Sequence, residues 1–310
     1  MLKKILNNVQ ATIVFSFCTV STIFWVTPLM VFALLKLVIP VTGFRRLMTR
    51  WIMAIGENWV SCNAAIFGFV NSTRWDVRGL EGLTNDQWYL VIANHQTWVD
   101  IIALQTVLNR RIPFLKFFIK QELIWFPFLG MAWWALDFPF MRRDSKAALA
   151  RRPGLKGRDL EIARKACEKF RNIPVSMMNF PEGTRFSVAK RDQGKSPFQN
   201  LLLPRIGGMG QVLYALSDQL DALIDVTIIY PQADPAAAAP TFWDLLTGRV
   251  PQIVARAERR NIPGELLGRD FRADPQFRRD LEDWMMQMWE DKDALISQLQ
   301  SSHPVASATV

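Results

Sequence analysis

Histidine is nearly missing from this chain: there are two, His95 and His303, in 310 residues. His303 lies in a Ser/Ala/Thr-rich tail, so His95 is the one imidazole available to a folded core. A zinc or non-haem iron site with two histidines is excluded by that count, and no metal is expected. Cysteine is scarce too. Cys18, Cys62 and Cys167 form no C-x-x-C pair and imply no disulfide framework, so reduced thiols in a cytoplasm-facing domain are expected. Phosphate-binding loops are also missing. Gln193-Gly194-Lys195-Ser196 imitates the end of a P-loop, but Ala189 stands where the first glycine is needed. Gly208-Met209-Gly210 does not follow a strand, and Leu213 replaces the third glycine of a dinucleotide fingerprint. No G-x-S-x-G nucleophile elbow occurs.

What the chain has in plenty is apolar and basic side chains. Half of its residues are hydrophobic and its mean hydropathy is slightly positive, which suggests membrane association. The net charge of +9 is concentrated between Arg142 and Arg205, where 16 basic residues meet 6 acidic ones, 16 − 6 = +10. Such a field favours phosphate-bearing partners. Nucleic acid is a poor candidate. The aromatics in that stretch are Phe170, Phe180, Phe186 and Phe198, with no Trp or Tyr for bases to stack on. A non-catalytic basic scaffold is the remaining alternative to an enzyme, and a retained His95–Asp100 pair argues against it.

From Ala11 to Leu35 there are 25 residues without a charge. Roughly 20 suffice to cross a bilayer as a helix. Lys3 and Lys4 precede the run; Lys36, Arg45, Arg46 and Arg50 follow it, which places the C-terminal part in the cytoplasm if the run is a span. An in-plane or re-entrant segment is the alternative, and Pro28 is expected to kink or break the helix. Gly43 to Val70 repeats Trp and Ile at helical spacing, reading as a helix on the membrane or packed back on the first.

Beyond residue 70, strands alternate with helices: strands at Trp75–Leu80, Trp88–Ala93, Pro113–Lys120, Phe138–Met141, Ile173–Phe180, Ala222–Tyr230 and Ile253–Glu258. Helices are expected from Trp98 to Leu108, Arg158 to Arg171 and Asp274 to Leu299, with a buried or interface-resting one at Glu122–Trp134. This pattern predicts an α/β fold, a mixed sheet flanked by helices and preceded by an N-terminal helical membrane motif. The domains expected are 1–70 for that motif, 71–300 for the α/β body and 301–310 for a disordered tail.

His95 follows the apolar run ending at Ala93, and Asp100 comes five residues later. On one regular helix that spacing turns the two about 140° apart. They meet only if His95 sits on a strand-to-helix turn and Asp100 in the first helical turn. The pair would then be a base and its orienting carboxylate; alternatively His95 bonds a backbone carbonyl and Asp100 is a helix-start acid. Phe180-Pro181-Glu182-Gly183-Thr184-Arg185 also follows a strand and offers a tight turn, a hydroxyl and a guanidinium to an anion. Its bland alternative is a polar loop with an internal ion pair. Arg142-Arg143 and Leu203-Pro204-Arg205 place further arginines where the chain turns.

In this order and spacing, Asn94-His95-x4-Asp100, Phe140-Met141-Arg142-Arg143, Phe180-Pro181-Glu182-Gly183-Thr184-Arg185 and Leu203-Pro204-Arg205 resemble the four motifs of the glycerolipid acyltransferase family. Val226–Pro231 and Trp289–Asp293 extend the likeness towards its lysocardiolipin-acyltransferase-like branch. The resemblance implies transfer of a fatty acyl group from acyl-CoA or acyl carrier protein to a free hydroxyl of a lysophospholipid, foremost 1-acylglycerol-3-phosphate. It implies a bacterial inner-membrane enzyme working on the cytoplasmic side, with no bound cofactor. By motif position His95 is the general base and Asp100 orients it. Arg143, Glu182, Gly183, Thr184 and Arg185 would bind the acceptor's phosphate, with Arg142 leaving the second motif's register open by one. Asn94, Arg142, Pro181, Pro204 and Arg205 would support the pocket. The turn at Gly183 offers a backbone donor for the developing oxyanion.

Overall fold

The structure, a computed structural model, describes residues 2–70, 72–141, 170, 173–231, 238–271 and 273–303. Arg142, Arg143 and most of the expected Arg158–Arg171 helix lie outside the described residues, as do 304–310. Two long helices open the chain, α1 (Leu2–Val38) and α2 (Thr42–Val70). There follow β1 (Arg74–Arg78), β2 (Trp88–Ala93), α3 (Val99–Leu108), β3 (Leu115–Phe117), β4 (Ile119–Lys120), a 3-10 turn at Gln121–Trp125, α4 (Leu129–Ala135) and β5 (Phe140–Met141). Then come β6 (Ser176–Asn179), α5 (Val188–Gln193), α6 (Gly207–Ala215), β7 (Leu220–Ile229), α7 (Phe242–Leu246), β8 (Gln252–Arg260) and α8 (Pro275–Ser302).

Six strands form one mixed sheet in the order β1-β8-β7-β2-β6-β3. The β7–β8 pairing is antiparallel and the others are parallel. β2 and β7 sit in the middle with both faces covered, which is why they read as unbroken apolar runs. Tyr89, Val91 and Ala93 join one core cluster with α3, α7 and the facing ends of α1 and α2. Leu90 and Ile92 join the other, with α6 and α8. β4 and β5 form a separate small ladder, so the single strand expected over Pro113–Lys120 is two short ones in different sheets.

α1 is long and apolar enough to cross a membrane, and it continues through Pro28 without a break. The proline forfeits one helical hydrogen bond, but Val26, Leu29 and Ala33 on either side of it are buried against Ile52, Ile55 and Trp59 of α2. The expected break is therefore absent. α2 packs back on α1, with Ser21 donating to Asn63 (3.1 Å) and Phe32 stacked on Trp51. The buried face of α1 is long. Ala11 and Val14 enter the sheet's core, and Leu29 and Ala33 enter the cluster with α2 and α4. From Ala11 to Ala33 is about 33 Å of helix. The opposite face exposes Phe15, Phe17, Val20, Phe24 and Val31.

The helix expected across Glu122–Trp134 is broken at Pro127 into the 3-10 turn and α4. Phe128 is held at φ +58°, and a Cβ on Gly130 would fall 2.0 Å from the Ile124 carbonyl oxygen. Trp125 is 87% exposed, whereas Ala132 and Ala135 of α4 are buried against α1 and α2, so the segment is buried on one face only. At the far end α8 extends two residues into the stretch expected as tail. His303 caps it, its Nδ1 3.0 Å from the Leu299 carbonyl oxygen and its Nε2 3.0 Å from Asp76 of β1.

Candidate active site

Parallel pairing builds the site. β2 and β6 run side by side with Ile92 opposite Asn179. Three residues beyond each partner stand His95 and Glu182, so two strand-end turns lie next to each other at the carboxyl edge of the sheet. That edge is where ligands bind in open α/β sheets. Asn94 fastens the first turn to β7: its amide donates to the Ile228 carbonyl and accepts from the Ile228 N–H, both at 2.8 Å. This side chain continues the β2–β7 ladder, so Asn94 supports the turn and is itself buried.

The chain then enters α3, whose first turn carries Asp100. His95 Nδ1 lies 2.8 Å from Asp100 Oδ2. The same oxygen accepts the backbone N–H groups of Gln96 (2.6 Å) and Thr97 (2.9 Å). The Tyr230 hydroxyl donates to Oδ1 at 2.7 Å. A carboxylate surrounded by donors accepts the Nδ1 hydrogen, which leaves the lone pair on Nε2. Among the described residues no side chain or backbone group bonds Nε2. Phe180 lies flat on the imidazole, ring centroids 4.0 Å apart, and fixes its plane. Burial above all, then the Asp100 charge, pushes the Tyr230 hydroxyl well above its usual range, so it stays a donor.

Glu182 lies in the same network, and its side chain bonds the protein's own backbone. It is buried, and its two oxygens accept the His95 N–H (2.7 Å) and the Leu202 N–H (2.9 Å). It ties its own turn to the His95 turn and to the loop at Leu202. Burial raises its carboxyl to about 7; the two amides and Lys292 oppose that rise, and Asp100 adds to it. Lys292 of α8 is buried beneath, paired with Asp225 at 2.5 Å and bonded to the Val226 carbonyl at 2.8 Å. Leu202 is held from behind as well. Its carbonyl accepts Trp289 Nε1 (3.0 Å), and Asp293 receives the N–H groups of Gln199 and Asn200.

Gly183 turns the chain at φ +66°, and a Cβ there would come within 3.2 Å of Arg205 Cδ. Its N–H already donates to the Phe180 carbonyl (2.9 Å), so it is not the free oxyanion donor expected of it. Thr184 accepts from Lys190 (2.9 Å), whose ammonium also donates to the Arg185 carbonyl (2.8 Å). Arg185 is exposed, its guanidinium 5.3 Å from the centre of the Trp98 ring. Arg205 is exposed too, and its backbone N–H donates to the buried Pro181's carbonyl at 2.7 Å; Pro204 beside it is half-buried. The structure thus brings Asn94, His95, Asp100, Pro181, Glu182, Gly183, Thr184, Arg185, Pro204 and Arg205 together, while Arg142 and Arg143 lie outside the described residues. Sequence reasoning missed Tyr230, Lys190, Trp98 and the α8 side chains. The hints available were that Val226–Pro231 and Trp289–Asp293 extend the family likeness, without a role for any one side chain.

An imidazole backed by a buried carboxylate, with cations on the loops around it, is able to take a proton from a hydroxyl. The chain belongs to the acyltransferase family, whose profile matches residues 74–230, from β1 to Tyr230. It is similar to a probable 1-acyl-sn-glycerol-3-phosphate acyltransferase 5 of Arabidopsis thaliana, 27% identical over 257 residues that cover 79% of this chain and 62% of the relative. It is also similar to lysocardiolipin acyltransferase 1 of Gallus gallus, 25% identical over 260 residues with the same two coverages, 79% and 62%. The chain thus spans about three fifths of the length of these relatives. The fold resembles the crystal structure of the 1-acyl-sn-glycerophosphate acyltransferase PlsC from Thermotoga maritima, with a TM-score of 0.55 and 17% identity over 93% of this chain and 97% of that one.

Proposed function

We propose that the chain moves a fatty acyl group from the thioester of acyl-CoA or acyl carrier protein to a free hydroxyl of a lysophospholipid, 1-acylglycerol-3-phosphate being the first acceptor to test. The observation that carries this reading is the 2.8 Å His95–Asp100 bond, which leaves Nε2 without a partner among the described residues, with Arg185 on the neighbouring strand-end turn. Nε2 takes the proton of the acceptor hydroxyl as its oxygen attacks the thioester carbonyl carbon. The C–O bond forms, the C–S bond breaks, and the imidazolium returns the proton to the leaving thiolate. Asp100 holds the tautomer and stabilises the transient imidazolium. Arg185, with no carboxylate on it among the described residues, suits the acceptor's phosphate. The relative from Gallus gallus is named for a lysocardiolipin acceptor, which keeps a larger lysophospholipid as the second reading.

Membrane attachment belongs to the same proposal. One face of α1 is buried along the body and the other is apolar and exposed, so α1 fits lying along a bilayer surface better than crossing it. Its hydroxyls favour lipid as well. Thr12, Ser16, Thr19, Thr22 and Thr27 each donate to the carbonyl four residues earlier, so none needs water. The catalytic side is then proposed to face the cytoplasmic leaflet of a bacterial inner membrane. The test is lipid mass spectrometry of purified full chain incubated with mixed lysolipids and one acyl-CoA. Appearance of phosphatidic acid, absent with His95→Ala, supports the reading; acylation of a different lysolipid selects the second; no acylated lipid from any acceptor refutes both.

A further inference from the structure

Trp98 has no part in the chemistry above, yet it lies among its members. Thr97 and Val99 on either side are buried, whereas the Trp98 side chain is 55% exposed and contributes little to the core. Core packing therefore does not account for the placement of this indole. What it holds is the Arg185 guanidinium, 5.3 Å from its ring centroid. The two come from the two neighbouring turns. Trp98 follows His95 by three residues, and Arg185 follows Glu182 by three, so the contact bridges the strand-end turns of β2 and β6.

The kind of partner matters. A carboxylate would grip Arg185 by its N–H edge and use up the donors that recognise a phosphate. The nearest acid in sequence, Glu182, is occupied on both oxygens by backbone amides. An aromatic face takes the guanidinium by its flat side and leaves its in-plane N–H donors free. Trp98 therefore restricts the arginine without satisfying it.

We propose that Trp98 is a positioning residue for acceptor recognition, holding Arg185 so that its free edge meets the anionic phosphate of the incoming lysophospholipid. This rests on the acyl-transfer reading and extends it to a residue outside the acid–base pair. The experiment uses the full chain and four variants: Trp98→Ala, Trp98→Phe, Arg185→Ala and the double Trp98→Ala/Arg185→Ala. Acyl-CoA and 1-acylglycerol-3-phosphate are titrated separately. Trp98→Ala is expected to raise the acceptor KM about two- to tenfold, the range of a partly exposed cation–π contact, with kcat and the donor KM held. Trp98→Phe should recover most of that loss, because it keeps an aromatic face. The double variant should be no worse than Arg185→Ala, since the indole acts only through the arginine. Losses that multiply in the double variant, a defect shared equally by both substrates, or a Trp98→Phe enzyme as poor as Trp98→Ala would each overturn the inference while leaving acyl transfer intact. A wild-type chain that acylates nothing overturns the inference together with the reading it rests on.

Discussion

Asp100 accepts four hydrogen bonds, from His95, Gln96, Thr97 and Tyr230, and each has its own consequence. Removing the base alone, His95→Ala, should lower kcat about 10²- to 10⁴-fold with the fold retained, because the other bonds of Asp100 and the strand pairing stay in place. Retained acyl transfer in that variant would end the mechanism. Asp100→Asn should act on both activity and stability. An amide offers one acceptor oxygen and turns an NH2 group towards N–H or O–H donors that expect an acceptor. Tyr230→Phe gives a subtler readout. Without the hydroxyl, more of the carboxylate's charge is available to His95, which favours the imidazolium. The acid limb of the kcat/KM profile should then move to higher pH; a limb that stays put would leave Tyr230 a packing residue only. Arg185→Ala should raise the acceptor KM roughly ten- to a hundredfold and leave the donor KM nearly unchanged, the loss of a charge-assisted fork. Equal damage to both substrates in steady-state titration would reject a phosphate grip.

At the scale of elements, the site is a set of loops at the ends of β2 and β6 with the loop at Leu202, and Glu182 is their common tie. Its folded carboxyl titrates near 7, above the ordinary 4.5, so the folded state binds more protons between those values. The stability it contributes is fully present below about pH 4.5 and is lost as pH rises through about 7. Glu182→Gln should lower stability, because one backbone N–H loses its acceptor, and should flatten the fall in unfolding free energy between pH 5 and 7. Urea titrations with an unchanged slope across that window would show that the burial of this carboxylate has no such effect. The same tie explains what was legible beforehand. The His95–Asp100 approach is local, five residues across one turn, so the sequence pattern was enough to anticipate it. The central strands were legible because burial on both faces makes them uniformly apolar. Glu182's partners and Tyr230 were not, because both depend on which strands pair and in what register. Arg74 opposite Gln252 and Ile92 opposite Asp225 are facts of tertiary packing that no local window contains. Pro127 and Gly130 were legible as interruptions of the apolar segment around them, but the exposure of Trp125, Phe126 and Trp134 depends on tertiary packing.

At the scale of the molecule, α1 and the sheet form one body, so deleting residues 1–70 is a blunt way to ask about membranes. Ala11, Val14 and Phe67 belong to the sheet's own core, and their removal would open it to water. Phe15→Ser/Phe17→Ser/Phe24→Ser touches only exposed side chains and should weaken partition onto anionic phospholipid vesicles at least about tenfold while thermal unfolding stays close to wild type. Unchanged co-sedimentation would show that another surface carries attachment. The grip of α8 on the 199–202 loop has a consequence for how the chain comes into being. Trp289 and Asp293 reach across roughly ninety residues to hold the segment that seats Glu182, and β1 waits for β8 to pair with it. A ribosome that has already released the His95 turn has therefore not yet supplied the pieces that hold it. The emerging chain passes through a long interval with an apolar α1, unpaired strand edges and no finished centre, so early docking on a bilayer would shelter it while the last helix is still being made.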